Sequence, residues 1–352
     1  MIVLMATTFT AAVGFVILAV VVGRLINTGT AITISVVKGP VVTRVDRELV
    51  DIDTILGPPG EESGAAAGTG MVLTSSGVVL TNNHVIEDAS SVHATDLGNG
   101  RTYTARVIGY DEHRDIAVLQ LEGASGLATV TLGNSALERV GARITTIGNA
   151  GGVGGTPAAR SGIVIALDRA IPVADDLAES SENLSSLIEV HGDLQPGDSG
   201  GPMINAAGKV VGLDTAASTT YAFSSQTTGE GFAIEIDRVM PTAARIRAGH
   251  GSTMIHVGPT AYIGVDIGQP LKHAPPGAAI AGVNAGTPAA RAGIAAHDAI
   301  TELAGQPINS TSALTAALVA FHPGQRIRIS WVNQSGISHS ATITLATNPT
   351  AA

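Results

Sequence analysis

The chain has 352 residues, with 19 Lys and Arg against 29 Asp and Glu and a formal net charge of −10. This acidic balance, with no segment that concentrates the basic residues, argues against nucleic acid as a partner. The absence of cysteine excludes disulfides, thiolate metal sites and cysteine nucleophiles.

The length is comfortable for two domains. With 43 glycines, 3% aromatic and 14% charged residues, the composition favours short strands joined by turns. The histidines form no H-x-x-x-H pair, so a zinc protease has no local support.

Residues 2–23 carry no charge and end at Arg24. A helix of about 22 residues spans roughly 33 Å, which matches a bilayer core. Residues 1–24 are therefore expected to be a retained membrane anchor, with a signal segment as the alternative, and 25–44 a linker. Arg24, Lys38, Arg44 and Arg47 all follow the span, so the positive-inside rule points the C-terminal bulk to the cytoplasm.

A β-rich region begins near Val41, and 45–245 is expected to form one domain. Glu48–Leu56 alternates as a strand, and the Gly-Pro-Pro-Gly run from Gly57 breaks it. Met71–Leu73 and Val78–Leu80 pair as a hairpin. Thr102–Ile108, Ile116–Leu121, Arg143–Ile147, Ile163–Leu167, Val210–Leu213 and Phe232–Ile236 continue the series. Strands at this spacing suggest barrels or a sandwich. Gly148–Gly155 (GNAGGVGG) lacks a P-loop lysine and reads as a flexible loop.

Residues 246–260 read as a linker, 261–347 as a smaller α+β domain and 348–352 as a tail. In the smaller domain Tyr262–Ile267 is a strand. Thr287-Pro288 opens a short helix that Gly293 stops, the expected cap asymmetry. A second helix near Ser312–Ala320 and strands at Arg326–Val332 and Ser340–Leu345 follow.

Three segments carry chemistry. Gly197-Asp198-Ser199-Gly200-Gly201-Pro202 suits a nucleophilic serine, because glycine on both sides permits the tight turn that exposes the hydroxyl. There the amides of Gly197 and Ser199 can converge on a developing oxyanion. By itself the hexapeptide also fits a surface turn. Thr81-Asn82-Asn83-His84-Val85 puts a histidine at a strand end, and Arg114-Asp115-Ile116-Ala117-Val118-Leu119 puts an aspartate before an apolar strand. The order His84, Asp115, Ser199 is the chain order of two-barrel serine proteases. Asp111 is set aside as the third member because it sits in a polar run before the strand.

With T-N-N-H-V, D-I-A-V-L and G-D-S-G-G-P in order, and with Val211-Gly212-Leu213 and Gly231-Phe232-Ala233-Ile234 behind them, the chain resembles the HtrA/DegP family of trypsin-like serine proteases. The resemblance runs from about residue 45 to the end and is nearest to anchored or secreted actinobacterial members. It implies a mainly β fold: a two-barrel chymotrypsin-like domain followed by a PDZ domain. It assigns Ser199 as nucleophile, His84 as base, Asp115 as the group that orients the imidazole, and the amides of Gly197 and Ser199 as the oxyanion hole. No cofactor or metal is implied.

Six residues before the nucleophile stands Asp193, at the floor of the primary specificity pocket in trypsin-like enzymes, with Leu213 also assigned there. A buried carboxylate would favour Lys or Arg before the cut, whereas the family usually takes aliphatic residues; a loop that turns Asp193 to solvent is the alternative. In the second domain Tyr262-Ile263-Gly264-Val265 matches the PDZ loop that binds a peptide C-terminal carboxylate, and Leu314 and Leu318 would face its groove. At i, i+4 such a pair also fits core packing.

The resemblance further implies misfolded or specific extracytoplasmic polypeptides as substrates, a single-pass membrane placement with both domains extracytoplasmic, and a trimer assembled through the protease domain. A non-catalytic PDZ scaffold or chaperone that keeps a protease-like fold is the alternative function.

Overall fold

The computed structural model describes residues 39–56, 64–87, 89–173, 182–192, 194–215, 230–268 and 277–347. The expected membrane anchor, residues 1–24, and the expected pocket residue Asp193 both lie outside them. Among the described residues no helix is long and apolar enough to cross a membrane.

Helix α1 (Pro40–Asp46) comes first, with its proline at the start and Val42 and Val45 buried. Proline suits that position, where its missing N–H costs nothing and its φ is already helical. The helix stands where the sequence suggested the end of a linker and the start of β structure. Its 7 residues are too few to display an apolar period.

The first barrel is built from β1 (Leu49–Leu56), β2 (Gly64–Val72), β3 (Val78–Thr81), β4 (Ala89–Asp96), β5 (Thr102–Asp111) and β6 (Ile116–Leu121). They run in the order β5-β4-β1-β2-β3-β6, and an additional β5–β6 pairing closes the ring. Strand β4 escaped the sequence reading because Ala-Ser-Ser-Val-His-Ala-Thr-Asp is small and polar; Ala89 and the alternate positions Val92, Ala94 and Asp96 are its buried residues.

The second barrel comprises β7 (Arg143–Gly148), β8 (Ala158–Val173), β9 (Glu182–His191), β10 (Pro202–Asn205), β11 (Val210–Asp214) and β12 (Glu230–Glu235). It closes in the order β10-β11-β12-β9-β8-β7.

Successive side chains on a strand point to opposite faces, and this alternation makes two kinds of core. Val50 and Ile52 fill the first barrel with Val79, Leu119 and Leu121. Val164, Ile188, Val190, Met203 and Val211 fill the second. Leu49, Met71, Leu80 and Ile116 from one barrel join Ile147, Leu213 and Ile234 from the other in a shared third cluster.

Helix α2 (Ile236–Arg247) seals that shared cluster. Its buried residues Ile236, Val239, Ala243 and Ile246 recur at spacings of three and four, the stripe of an amphipathic helix. The sequence reading missed it, because Pro241 interrupts the pattern and the helix grows directly out of a strand.

Strand β13 (His256–Val257) pairs with Gly109 and Tyr110 of β5, so part of the expected linker is an edge strand of the first barrel. The smaller domain follows with β14 (Ala261–Tyr262), β15 (Val265–Ile267), β16 (Ala278–Val283), α3 (Pro288–Ala292), β17 (Ala299–Leu303), β18 (Gln306–Pro307), α4 (Thr311–Val319), β19 (Arg326–Val332), β20 (Ser338–Thr344) and β21 (Ala346–Thr347). The sheet order is β15-β16-β17-β19-β20, which leaves β15 at an edge. Ile263, Ile280, Ile300, Leu314, Ile329 and Trp331 lie in its core. The caps of α3 are as expected: the Thr287 hydroxyl accepts from Ala290 N–H, and Gly293 ends the helix in a left-handed conformation.

Candidate active site

Strand β3 ends at Thr81 and delivers His84 to the seam between the barrels, where its side chain is 9% exposed. The loop after β5 delivers Asp115, whose backbone sits in the left-handed region at φ 53°. The Asp115 carboxylate is held from several sides. It accepts from His84 N–H at 3.0 Å and lies 3.0 and 2.9 Å from His84 Nδ1 through its two oxygens. Thr215, just after β11, donates its hydroxyl to Asp115 Oδ2 at 3.1 Å. Asn82 Nδ2 donates to the Asp115 carbonyl at 2.9 Å.

With Asp115 occupying the Nδ1 side, the imidazole presents Nε2 for proton transfer. Burial of the ring works against its charged form. The charge and hydrogen bond of Asp115, with a smaller contribution from Glu87, outweigh that and leave the His84 pKa raised. Asp111 turns elsewhere, accepting from the Arg114 guanidinium at 2.6 Å and from Arg114 N–H at 3.1 Å.

Ser199 belongs to the second barrel and is clamped against the first. Its carbonyl accepts from Thr69 N–H of β2 at 2.8 Å. A Cβ on Gly68 would lie 2.6 Å from Val85, the neighbour of His84, and 3.3 Å from the Ser199 carbonyl. The turns that carry Ser199 and His84 therefore flank the same strand.

The peptide planes of the turn set its chemistry. Pro196 C=O accepts from Gly151 N–H at 2.7 Å, and Asp198 C=O accepts from Gly201 N–H at 2.9 Å. In a trans peptide the N–H lies opposite the carbonyl, so Gly197 N–H points away from Gly151 and Ser199 N–H away from Gly201. Gly197 has φ +95° and a Cβ there would lie 2.1 Å from the Asn149 carbonyl, so glycine is required on both counts.

Thr69 knits these parts together: its hydroxyl donates to Gly197 C=O at 2.8 Å and accepts from Asn149 N–H at 2.9 Å. The glycine-rich stretch 148–155, read from sequence as a flexible loop, is thus a support of the turn. Asn149 Oδ1 accepts from Gly154 N–H at 2.8 Å, and Asp51 of β1 accepts from Gly155 N–H at 2.9 Å. Thr69, Asn149 and Thr215 were all missed, because no local spacing rule ties them to a serine that lies 130, 50 and 16 positions away.

The remaining expected site residues fall as follows. Leu213 is fully buried in the core shared by the barrels. In the smaller domain Ile263 C=O accepts from Ala289 N–H at 2.8 Å and Gly264 C=O from Asn284 N–H at 3.1 Å. By the same trans-peptide argument Gly264 N–H and Val265 N–H point away from those partners. Tyr262 OH accepts from Asn284 Nδ2 at 2.7 Å. Leu314 is fully enclosed in the domain core and Leu318 is half-buried against it. Among the described residues no group of three or more His, Asp or Glu side chains could hold a metal ion.

Residues 68–213 match the family described as "Trypsin-like peptidase domain" and residues 265–336 match "PDZ domain". The chain is 32% identical over 317 residues to serine protease PepD of Mycobacterium tuberculosis, an alignment spanning 87% of this chain and 65% of PepD. It is 34% identical over 311 residues to putative serine protease HhoA of Synechocystis, spanning 79% of this chain and 74% of HhoA. Among solved structures, HtrA-type protease AlgW with a tripeptide matches with a TM-score of 0.50 and 25% identity, covering 88% of this chain and 96% of AlgW. The chain spans 65% of the length of PepD, so it is compared with part of that relative. Two closed barrels, a PDZ domain and this similarity across most of the chain place it in the HtrA/DegP family of trypsin-like serine proteases.

Proposed function

We propose that the chain is a serine endopeptidase working by acyl transfer. Ser199 Oγ attacks the scissile carbonyl while His84 Nε2 takes its proton, and the new oxyanion is bound by the amides of Gly197 and Ser199. Collapse of the tetrahedral intermediate expels the amine, which receives the proton from His84 and leaves an acyl-enzyme. Water activated by the same histidine then releases the acid. Asp115 holds the ring and stabilises its cation. The observation that carries the reading is the Asp115 carboxylate, bridging His84 Nδ1 and the Thr215 hydroxyl within 3.1 Å.

The PDZ domain binds extended peptide C-termini, with the carboxylate on the amides of Gly264 and Val265 and the peptide strand added to the edge of β15. Its substrates are misfolded or specific extracytoplasmic polypeptides, and the enzyme acts as a trimer anchored through residues 1–24. The test compares wild type with Ser199→Ala on β-casein. Loss of the nucleophile lowers the rate about 10³-fold or more, and equal digestion by both proteins refutes the assignment.

A further inference from the structure

The side chain beside the nucleophile raises a question that the triad does not answer. Asp198 is 1% exposed, and a carboxylate out of water is costly unless a cation and hydrogen bonds compensate it. Its Oδ2 accepts from Arg160 Nη1 at 2.9 Å and from Gln195 N–H at 2.8 Å. Asp198 N–H returns a bond to Gln195 C=O at 3.0 Å. The carboxylate therefore closes the short turn 195–198, which contains Gly197.

Arg160 comes from β8, where it stands opposite Thr146 of β7, and its side chain is 15% exposed. It is thus a fixed wall of the second barrel, while the turn it grips is a loop. A second carboxylate, Asp214, is fully enclosed nearby; burial first, and then the charge of Asp198, push its pKa well up. Arg160 supplies a guanidinium to Asp198 in this buried setting.

We propose that Arg160 is a positioning residue for acyl transfer: its guanidinium holds the Asp198 carboxylate, and through it the turn whose Gly197 and Ser199 amides bind the oxyanion. Without that guanidinium, the buried Asp198 carboxylate would lose a charge-assisted hydrogen bond beside the place where a second negative charge develops. The turn would relax to carry it to water, taking the Gly197 amide out of line. The inference rests on the reading of Ser199 as nucleophile.

The test measures kcat and KM on β-casein and the rate of active-site labelling by a fluorophosphonate probe, below the melting temperature of each variant. Arg160→Met lowers kcat and the labelling rate about 10²-fold, the effect of losing one oxyanion donor, with KM changed less than about threefold. Arg160→Lys, which keeps the charge, recovers at least part of the loss. The double variant Arg160→Met/Asp198→Asn returns to within about tenfold of wild type, because an amide oxygen still accepts from Gln195 N–H and needs no cation.

A purely structural role would lower the melting temperature while leaving turnover per labelled site unchanged, and that result overturns the proposal. So does a double variant as slow as Arg160→Met. If Arg160→Met does not fold, the folded double variant carries the test: labelling within tenfold of wild type supports the proposal, and labelling 10²-fold slower overturns it. Ser199→Ala separates the two readings. A wild type that neither labels nor digests casein refutes the peptidase assignment, whereas a wild type that labels at Ser199 alongside an equally reactive Arg160→Met refutes only the role of Arg160.

Discussion

Replacing Thr69 with valine removes one hydroxyl and leaves the shape of the side chain nearly unchanged. That hydroxyl is fully buried, donates to Gly197 C=O and accepts from Asn149 N–H. Its backbone bonds to Ser199 and to the Thr81 hydroxyl survive the change. The variant strands one buried acceptor and one buried donor, each at about 1–3 kcal/mol. A total near 3 kcal/mol corresponds to a fall in melting temperature of roughly 6–12 °C for a domain of this size.

The functional effect should exceed the thermal one in importance. Freed from Thr69, Asn149 no longer pins the loop whose Gly151 N–H holds the Pro196 carbonyl. That carbonyl can then rotate and carry the Gly197 amide away from the oxyanion position, at a cost of about 10²-fold in kcat. Calorimetry and casein kinetics on Thr69→Val and Thr69→Ser check this. Serine restores the hydroxyl, so it should recover most of both losses. An unchanged kcat in Thr69→Val, or a Thr69→Ser as impaired as Thr69→Val, refutes the reasoning.

Three further outcomes follow from the same geometry. His84 must be neutral to accept a proton and its pKa is raised, so the acid limb of kcat/KM should have its midpoint above the ordinary imidazole value of about 6.5. Stability runs the other way: the raised value favours the folded state at low pH, and that contribution is lost as pH rises through it. A midpoint at or below 6.5 contradicts the assignment of Asp115 as its partner. Asp46 has a buried oxygen without a hydrogen-bond partner, and burial pushes its pKa up to about 6. Folding therefore loses stability as pH climbs from the unfolded value toward 6 and keeps that deficit above it. Asp46→Asn should melt higher than wild type at pH 8 and equally near pH 4.

His256 is buried between Val319 C=O and Gly258 C=O, each 2.9 Å from a ring nitrogen, with Tyr110 and His322 against its faces. A neutral imidazole donates to one of the two, so His256→Ala strands one buried carbonyl at about 2 kcal/mol. In Ser199→Ala protein, trypsin should then cut after Arg247 roughly 30-fold faster; an unchanged rate means that His256 does not hold this junction closed.

The legible part of this protein was whatever local chemistry or period could announce. Thr287-Pro288 and Gly293 bounded α3 because caps act on their own helix terminus. Ile116–Leu121 announced β6 because a six-residue run that is apolar but for Gln120 allows little else. His84, Asp115 and Ser199 could be named because each stands in a short motif whose order along the chain is informative. What escaped was β4, whose buried residues are small; α2, whose stripe is broken by Pro241; and β13, which is a strand only because β5 offers it an open edge.

The sequence by itself thus named the candidate residues of the chemistry and the order of the two domains. Only the tertiary structure decided what holds the chemistry in place. Thr69 is 130 positions from Ser199, Thr215 is 100 from Asp115, and Arg160 is 38 from Asp198. Such partners meet through barrel closure and strand register, and neither leaves a mark in any local window of sequence. The Gly197 turn reads as a candidate nucleophile from its own residues, but its peptide planes are set by a hydroxyl, a glycine-rich loop and a guanidinium from three other segments.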